Sequence, residues 1–228
     1  MMSPDAVFCL RDQTSDAKTA ITLYFFKSEQ FACWDVLQDR MLPGYPVKTA
    51  DHWPGLLETF PGVRLRAALQ VPEWGNKIFF MFEGESDALV WDVTRGTLLD
   101  ERVGVGDLLP SPLPAGQLIA FYARLANGDG VIYGFHGFDY VRWTVANGKL
   151  THPDAGFPRK IADDWKDGLV LSPRAAVYVD WPNRSSAHSN RKIYFFMGDL
   201  YLRWDVPSNS RNYRLDILAG WKGWPTFE

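Results

Sequence analysis

The stretch YFFMGDLYLRWDV, Tyr194 to Val206, decides how the chain is read. Within it Leu200, Leu202, Trp204 and Val206 alternate with Tyr201, Arg203 and Asp205, the period of two that a β-strand imposes on its side chains. Gly198 and Asp199 sit before this run, where a tight hairpin needs residues that tolerate positive φ. A second stretch, YGFHGFDYVRWTV (Tyr133 to Val145), keeps the tyrosine, the third-position phenylalanine, the glycine and the later Tyr, Arg, Trp and Val in register. Two looser copies precede it. YFFKSEQFACWDV (Tyr24 to Val36) lacks the glycine and the arginine, and FFMFEGESDALVWDV (Phe79 to Val93) needs two extra residues. The tryptophans Trp34, Trp91, Trp143 and Trp204 then stand 57, 52 and 61 residues apart, a period that marks a repeat architecture.

Working outward, a short small-residue element precedes each copy: DAVF at Asp5, RAAL at Arg66, IAFY at Ile119 and RAAV at Arg174. A third element follows at variable distance, as KTADHWPGL, KIADDWKDGL and ILAGWKGWP, whereas the second unit has only VGVGDLLP there and is expected to be degenerate at its outer edge. Polar, Gly/Ser/Asn-rich segments such as NRSSAHSNRK join the strands. The fold class is therefore all-β, a four-bladed β-propeller of pseudo-fourfold symmetry with a central channel and blades near 1–60, 61–113, 114–170 and 171–228. Ala6, Ala67, Ala120 and Ala175 mark the converging inner strands, where bulky side chains have no room, and the four tryptophans fill the gaps between twisted blades.

Composition narrows the function. The chain has 228 residues, 46% hydrophobic and 22% charged, with ten tryptophans, nine tyrosines and fifteen phenylalanines. Those are globular values, and the excess of rings calls for a core or a recognition surface. A net charge of −3 and a pI of 5.8, with no basic run, argue against nucleic acid as a partner. The opening MMSPDAVFCL has neither a basic n-region nor a long apolar h-region, and no stretch reaches the roughly 18 apolar residues of a bilayer span, so no membrane partner and a cytoplasmic location are expected. Cys9 and Cys33 are not spaced as a metal or redox pair and read as free thiols.

The combination of D-A-x-F, Y-x-F-x-G-x-x-Y-x-R-W-D and I-A-D-D-W-x-x-G resembles the hemopexin repeat, and four copies cover Asp5 to Trp224. WD40 repeats, with a shorter period and a Gly-His signal, do not match. The resemblance is to stand-alone propellers such as the seed albumin-2 group and the bacterial and fungal hemopexin-like proteins. It implies a family of haem carriers, polyamine binders and protein-docking modules, with haem or an axial ion as the cofactor to look for in the channel.

The chain departs from that pattern where chemistry is expected. Members of the family commonly carry an acid or asparagine at the first position of the innermost motif. Here only Asp5 conforms, and the matching positions are Arg66, Ile119 and Arg174. Two arginines at the channel mouth raise the local potential and disfavour a metal or polyamine, while guanidinium forks suit carboxylate or phosphate. The alternative is that each arginine is neutralised by Asp5 or by an acid on a neighbouring blade. The family's disulfide between first and last blades has no counterpart near Glu228, so closure falls to strand pairing or to GWKGWPTFE, whose Trp221 and Trp224 otherwise form a surface patch.

Other constellations are sparse. His52, His136, His152 and His188 lie in different units, with His136 and His188 the loop candidates for haem or a surface ligand. No nucleophile elbow, P-loop or zinc-protease motif occurs. Asp163, Asp164 and Asp167 read as a cap rather than a calcium loop, and Asn183 formally fits a glycosylation acceptor. The expected function is a non-catalytic propeller binding a small anionic or planar aromatic molecule at Asp5, Arg66, Ile119 and Arg174. A lectin or protein-docking module using exposed aromatic loops, a positioning-type cyclase or isomerase, and a polyamine binder are the alternatives.

Overall fold

The computed structural model describes residues 2–11, 21–114, 117–150, 152–165, 168–169, 171–181, 190–206 and 208–227. Four small antiparallel sheets follow one another along the chain. Blade one holds β1 (Ala6–Arg11), β2 (Ile21–Lys27) and β3 (Gln30–Asp35), with β4 (Arg40–Met41) and β5 (Val47–Lys48) both paired to β3. Blade two is β6 (Leu65–Gln70), β7 (Lys77–Phe82), β8 (Asp87–Asp92) and β9 (Thr97–Gly104). Blade three is β10 (Ile119–Arg124), β11 (Gly130–His136), β12 (Asp139–Val145) and β13 (Arg159–Lys160). Blade four is β14 (Ala175–Asp180), β15 (Arg191–Met197), β16 (Leu200–Asp205) and β17 (Ser210–Asp216). Each outer edge runs into a one-turn helix: α1 (Thr49–His52), α2 (Val105–Leu108), α3 (Ile161–Asp164) and α4 (Ile217–Gly220). The first strands β1, β6, β10 and β14 adjoin in that cyclic order and β14 returns to β1, which makes the chain a closed four-bladed β-propeller.

The period-two pattern has a different meaning here from that in a sheet with one wet face. Along β16, Tyr201 enters the core between blades four and one, while Leu202 and Trp204 enter the core between blades three and four. In β15, Phe195 and Phe196 divide in the same way. Alternation thus sorts side chains between two buried interfaces, so both sets must be apolar and the unusual ring content follows.

Each interface receives one motif tryptophan. Trp34 serves the blade four–one core, Trp91 the one–two core, Trp143 the two–three core and Trp204 the three–four core. Opposite it stands the residue that caps a short helix, and three of these caps are also tryptophan. The ring centroids lie 4.8 Å apart for Trp53–Trp91, 4.9 Å for Trp34–Trp221 and 5.1 Å for Trp165–Trp204. The second unit, expected to be degenerate, forms the same helix with Leu109 in the capping position, and there the Trp143 indole N–H donates to Pro110 O at 2.8 Å. Gly134 makes room for this ring, because a Cβ there would lie 2.9 Å from Trp143.

Closure of the ring is settled by packing. All strands of blade four come from one end of the chain, so no shared sheet joins the termini. Trp221 and Trp224 are buried to 5% and 8% exposure and pack on Phe25 of blade one, which removes the surface-patch reading. Ser3 N and Oγ both donate to Gly198 O, at 2.8 and 2.6 Å, and the Arg174 guanidinium donates to Asp5.

Trp221→Ala should therefore lower unfolding free energy by about 3–5 kcal/mol in a denaturant titration, the usual cost of emptying an aromatic core site. Gly134→Ala should cost about 1–3 kcal/mol through overpacking against Trp143, with the same loss measured by thermal unfolding. A loss below a few tenths of a kcal/mol in either variant would contradict this packing scheme.

Candidate ligand site at the channel mouth

At the end of the propeller where the inner strands begin, Asp5, Arg66, Ile119 and Arg174 line one cavity of about 320 Å³. The four positions singled out by the repeat are thus brought together. Their register is less regular than the motif implied. Asp5 N and Arg174 N donate to the equivalent carbonyls of Phe26 and Phe196, so these two residues correspond. In blade three Ile119 pairs with Phe135, one step further along the strand, and in blade two a bulge between Leu65 and Ala67 inserts Arg66. Arg64, whose carbonyl accepts from Glu83 N just before the bulge, also lines the cavity. The repeat did not single out Arg64 because it lies outside the small-residue element RAAL.

Asp5 is the hub of the mouth and is only 4% exposed. Its Oδ1 accepts from Arg174 Nε at 3.1 Å and from Nη2, with Lys27 Nζ 3.6 Å away. Its Oδ2 accepts from Ser28 N at 2.8 Å. That last bond explains how blade one dispenses with the hairpin glycine. Ser28 takes φ 51° where blades three and four use Gly137 and Gly198, and the carboxylate holds it there. Lys27 also donates to Ser3 O at 3.0 Å. Burial holds Lys27 below the ordinary lysine pKa, against the pull of Asp5 and with help from Arg174 and Arg64.

The second arginine is satisfied less completely. Arg66 Nη1 pairs with Glu83 Oε1 at 3.3 Å, and Arg64 takes the other oxygen of the same carboxylate at 2.9 Å. Two guanidinium groups share one acid in the β7–β8 turn of their own blade. Burial lowers the Arg66 pKa, with Glu83 opposing and Arg64 adding to the shift. Arg66 Nε is buried and has no hydrogen-bond partner. Arg174 is thus neutralised by Asp5 across the seam, whereas the acid beside Arg66 is Glu83 of its own blade rather than one on a neighbouring blade.

Elsewhere the candidates disperse. His136 lies on the blade-three hairpin with Nε2 2.7 Å from Gln117 Oε1, and His188 lies outside the described residues. Among the described residues no histidine lines the strand-start cavity. Asp164 accepts from Tyr140 Oη at 2.8 Å and pairs with Arg159, and so works as a cap; Asp167 and Asn183 fall outside the described residues. Burial pushes the Cys33 thiol up to about 12, leaving it protonated and unreactive. Nine of the ten tryptophans are buried, and half-buried Trp74 donates to Gly148 O.

No protein-family model matches the sequence. Mouse matrix metalloproteinase-21 is 23% identical over 224 residues, covering 91% of this chain but only 35% of that protein. Among solved structures, the hemopexin-fold protein CP4 from cow pea superposes with a TM-score of 0.63 at 16% identity, covering 97% of this chain and 96% of the other. The seed albumin LS24 from Lathyrus sativus gives 0.65 at 16% identity, with 96% of both chains covered. A plant lectin with two metal binding sites from Cicer arietinum gives 0.64 at 17% identity over 95% and 94%. With the four blades, the interface tryptophans and the axial mouth already described, these likenesses show that the chain has the hemopexin fold.

Proposed function

We propose that this protein is a non-catalytic binding propeller that takes a small anionic ligand at the strand-start mouth. The observation that carries the reading is the meeting of Arg64, Arg66 and Arg174 at one cavity, where the first two share the single carboxylate of Glu83. Planar guanidinium groups match carboxylate and phosphate oxygens. A polyamine meets the opposite situation, since three arginines repel it and Asp5 is already engaged by Arg174 and Ser28. Among the described residues, none at the mouth pairs a nucleophile with a base, which favours retention over turnover.

Thermal unfolding at low ionic strength checks this directly. Citrate or phosphate should raise the melting temperature, and saturation at a hundred times Kd should add about 2.7 kcal/mol of stability. Arg66→Gln should abolish most of the shift while leaving the unliganded melt nearly unchanged. Stabilisation by spermine with none by citrate or phosphate would overturn the proposal.

A further inference from the structure

The mouth does not end at the axis. A second cavity of about 580 Å³ shares Asp5, Arg64 and Arg174 with it and extends sideways, between the β2–β3 turn and the segment that leads into β6. The two spaces meet at the same guanidinium groups. Across both cavities five cationic side chains (Lys27, Lys48, Arg64, Arg66 and Arg174) face three lining acids (Asp5, Glu29 and Glu58) and the Glu83 carboxylate behind Arg64 and Arg66, a local excess of one positive charge in a chain whose net charge is −3.

The lateral groove is amphipathic in a directional way. Its charged end is the shared arginine cluster, and its other wall is Leu57, Phe60 and Val63, half-buried residues packed on the core between blades one and two. Phe60 is held as a fixed wall, with Phe82 at 5.0 Å on one contact and the Arg102 guanidinium 5.3 Å from its ring centroid on another. An inorganic anion on the arginines would leave this apolar wall in water. A ligand with a tail would cover it, and a wall already fixed by packing lowers the ordering cost of doing so.

Resting on the anion site proposed above, we infer that its ligand is an amphipathic organic anion: a carboxylate held by Arg64 and Arg174 with an apolar tail of medium length laid along Leu57, Phe60 and Val63. Charge selects one end and burial of methylenes the other.

Calorimetric titration of the full chain with butanoate, hexanoate and octanoate, alongside octan-1-ol and octylammonium, tests the inference. Affinity should rise about three- to fourfold for each added methylene, the factor expected for a buried CH₂. Octan-1-ol and octylammonium should bind at least tenfold more weakly than octanoate. Val63→Thr should flatten the chain-length dependence without changing butanoate affinity, and Arg64→Gln should weaken every carboxylate. Equal affinity for butanoate and octanoate, lost in Arg64→Gln, would overturn the tail and leave the anion site standing. Octan-1-ol or octylammonium binding as tightly as octanoate, or no binding by any carboxylate, would overturn both.

Discussion

Burial of both faces of every blade is the constraint on which the rest depends. A four-bladed ring has four wedge-shaped gaps, and each must be filled to interior density by side chains from two sheets that meet at a steep angle. Tryptophan fills such a wedge from both sides in three of the four gaps, as Trp53–Trp91, Trp165–Trp204 and Trp34–Trp221. In the fourth, Leu109 provides less volume and the Trp143 indole gains a hydrogen bond to Pro110 O. Because the ring is closed, the gap between blades four and one must be made by residues near opposite ends of the sequence. Trp221 and Trp224 supply its apolar part, and no covalent link is needed.

The same closure generates the charge cluster at the mouth. Asp5 reaches across the seam to Arg174 and, within blade one, secures the turn at Ser28, so one carboxylate joins ring closure to hairpin geometry. It is fully occupied by these tasks. Arg64 and Arg66 are left to share Glu83, and the mouth keeps an excess of positive charge in an acidic protein. The affinity proposed for anions is thus a residue of how the seam is built, and changes at Asp5 should act on stability and binding together.

Much of this was legible in the sequence, for physical reasons. Ring size and period-two alternation are local properties that survive in each copy, so Trp34, Trp91, Trp143 and Trp204 marked the interfaces correctly. What stayed hidden depended on contacts between distant residues. The burial of Trp221 and Trp224 follows from where blade one ends up, not from GWKGWPTFE itself. The bulge at Arg66 has no signature in the local sequence, Arg64 lies outside the repeated element, and the equivalence of Ile119 with Asp5 failed by one residue in blade three. The lateral groove was invisible because Leu57, Phe60 and Val63 acquire a common face only when the segment folds against Lys27 and Ser28.

The central claim is that the strand-start mouth attracts anions where family resemblance leads one to look for an axial cation. Anomalous diffraction from crystals soaked separately in bromide and rubidium distinguishes the two most directly. The account requires a bromide peak in the cavity between Arg64, Arg66 and Arg174, and no rubidium there. A rubidium peak held by inner-strand carbonyls at that mouth, with bromide absent, would contradict it.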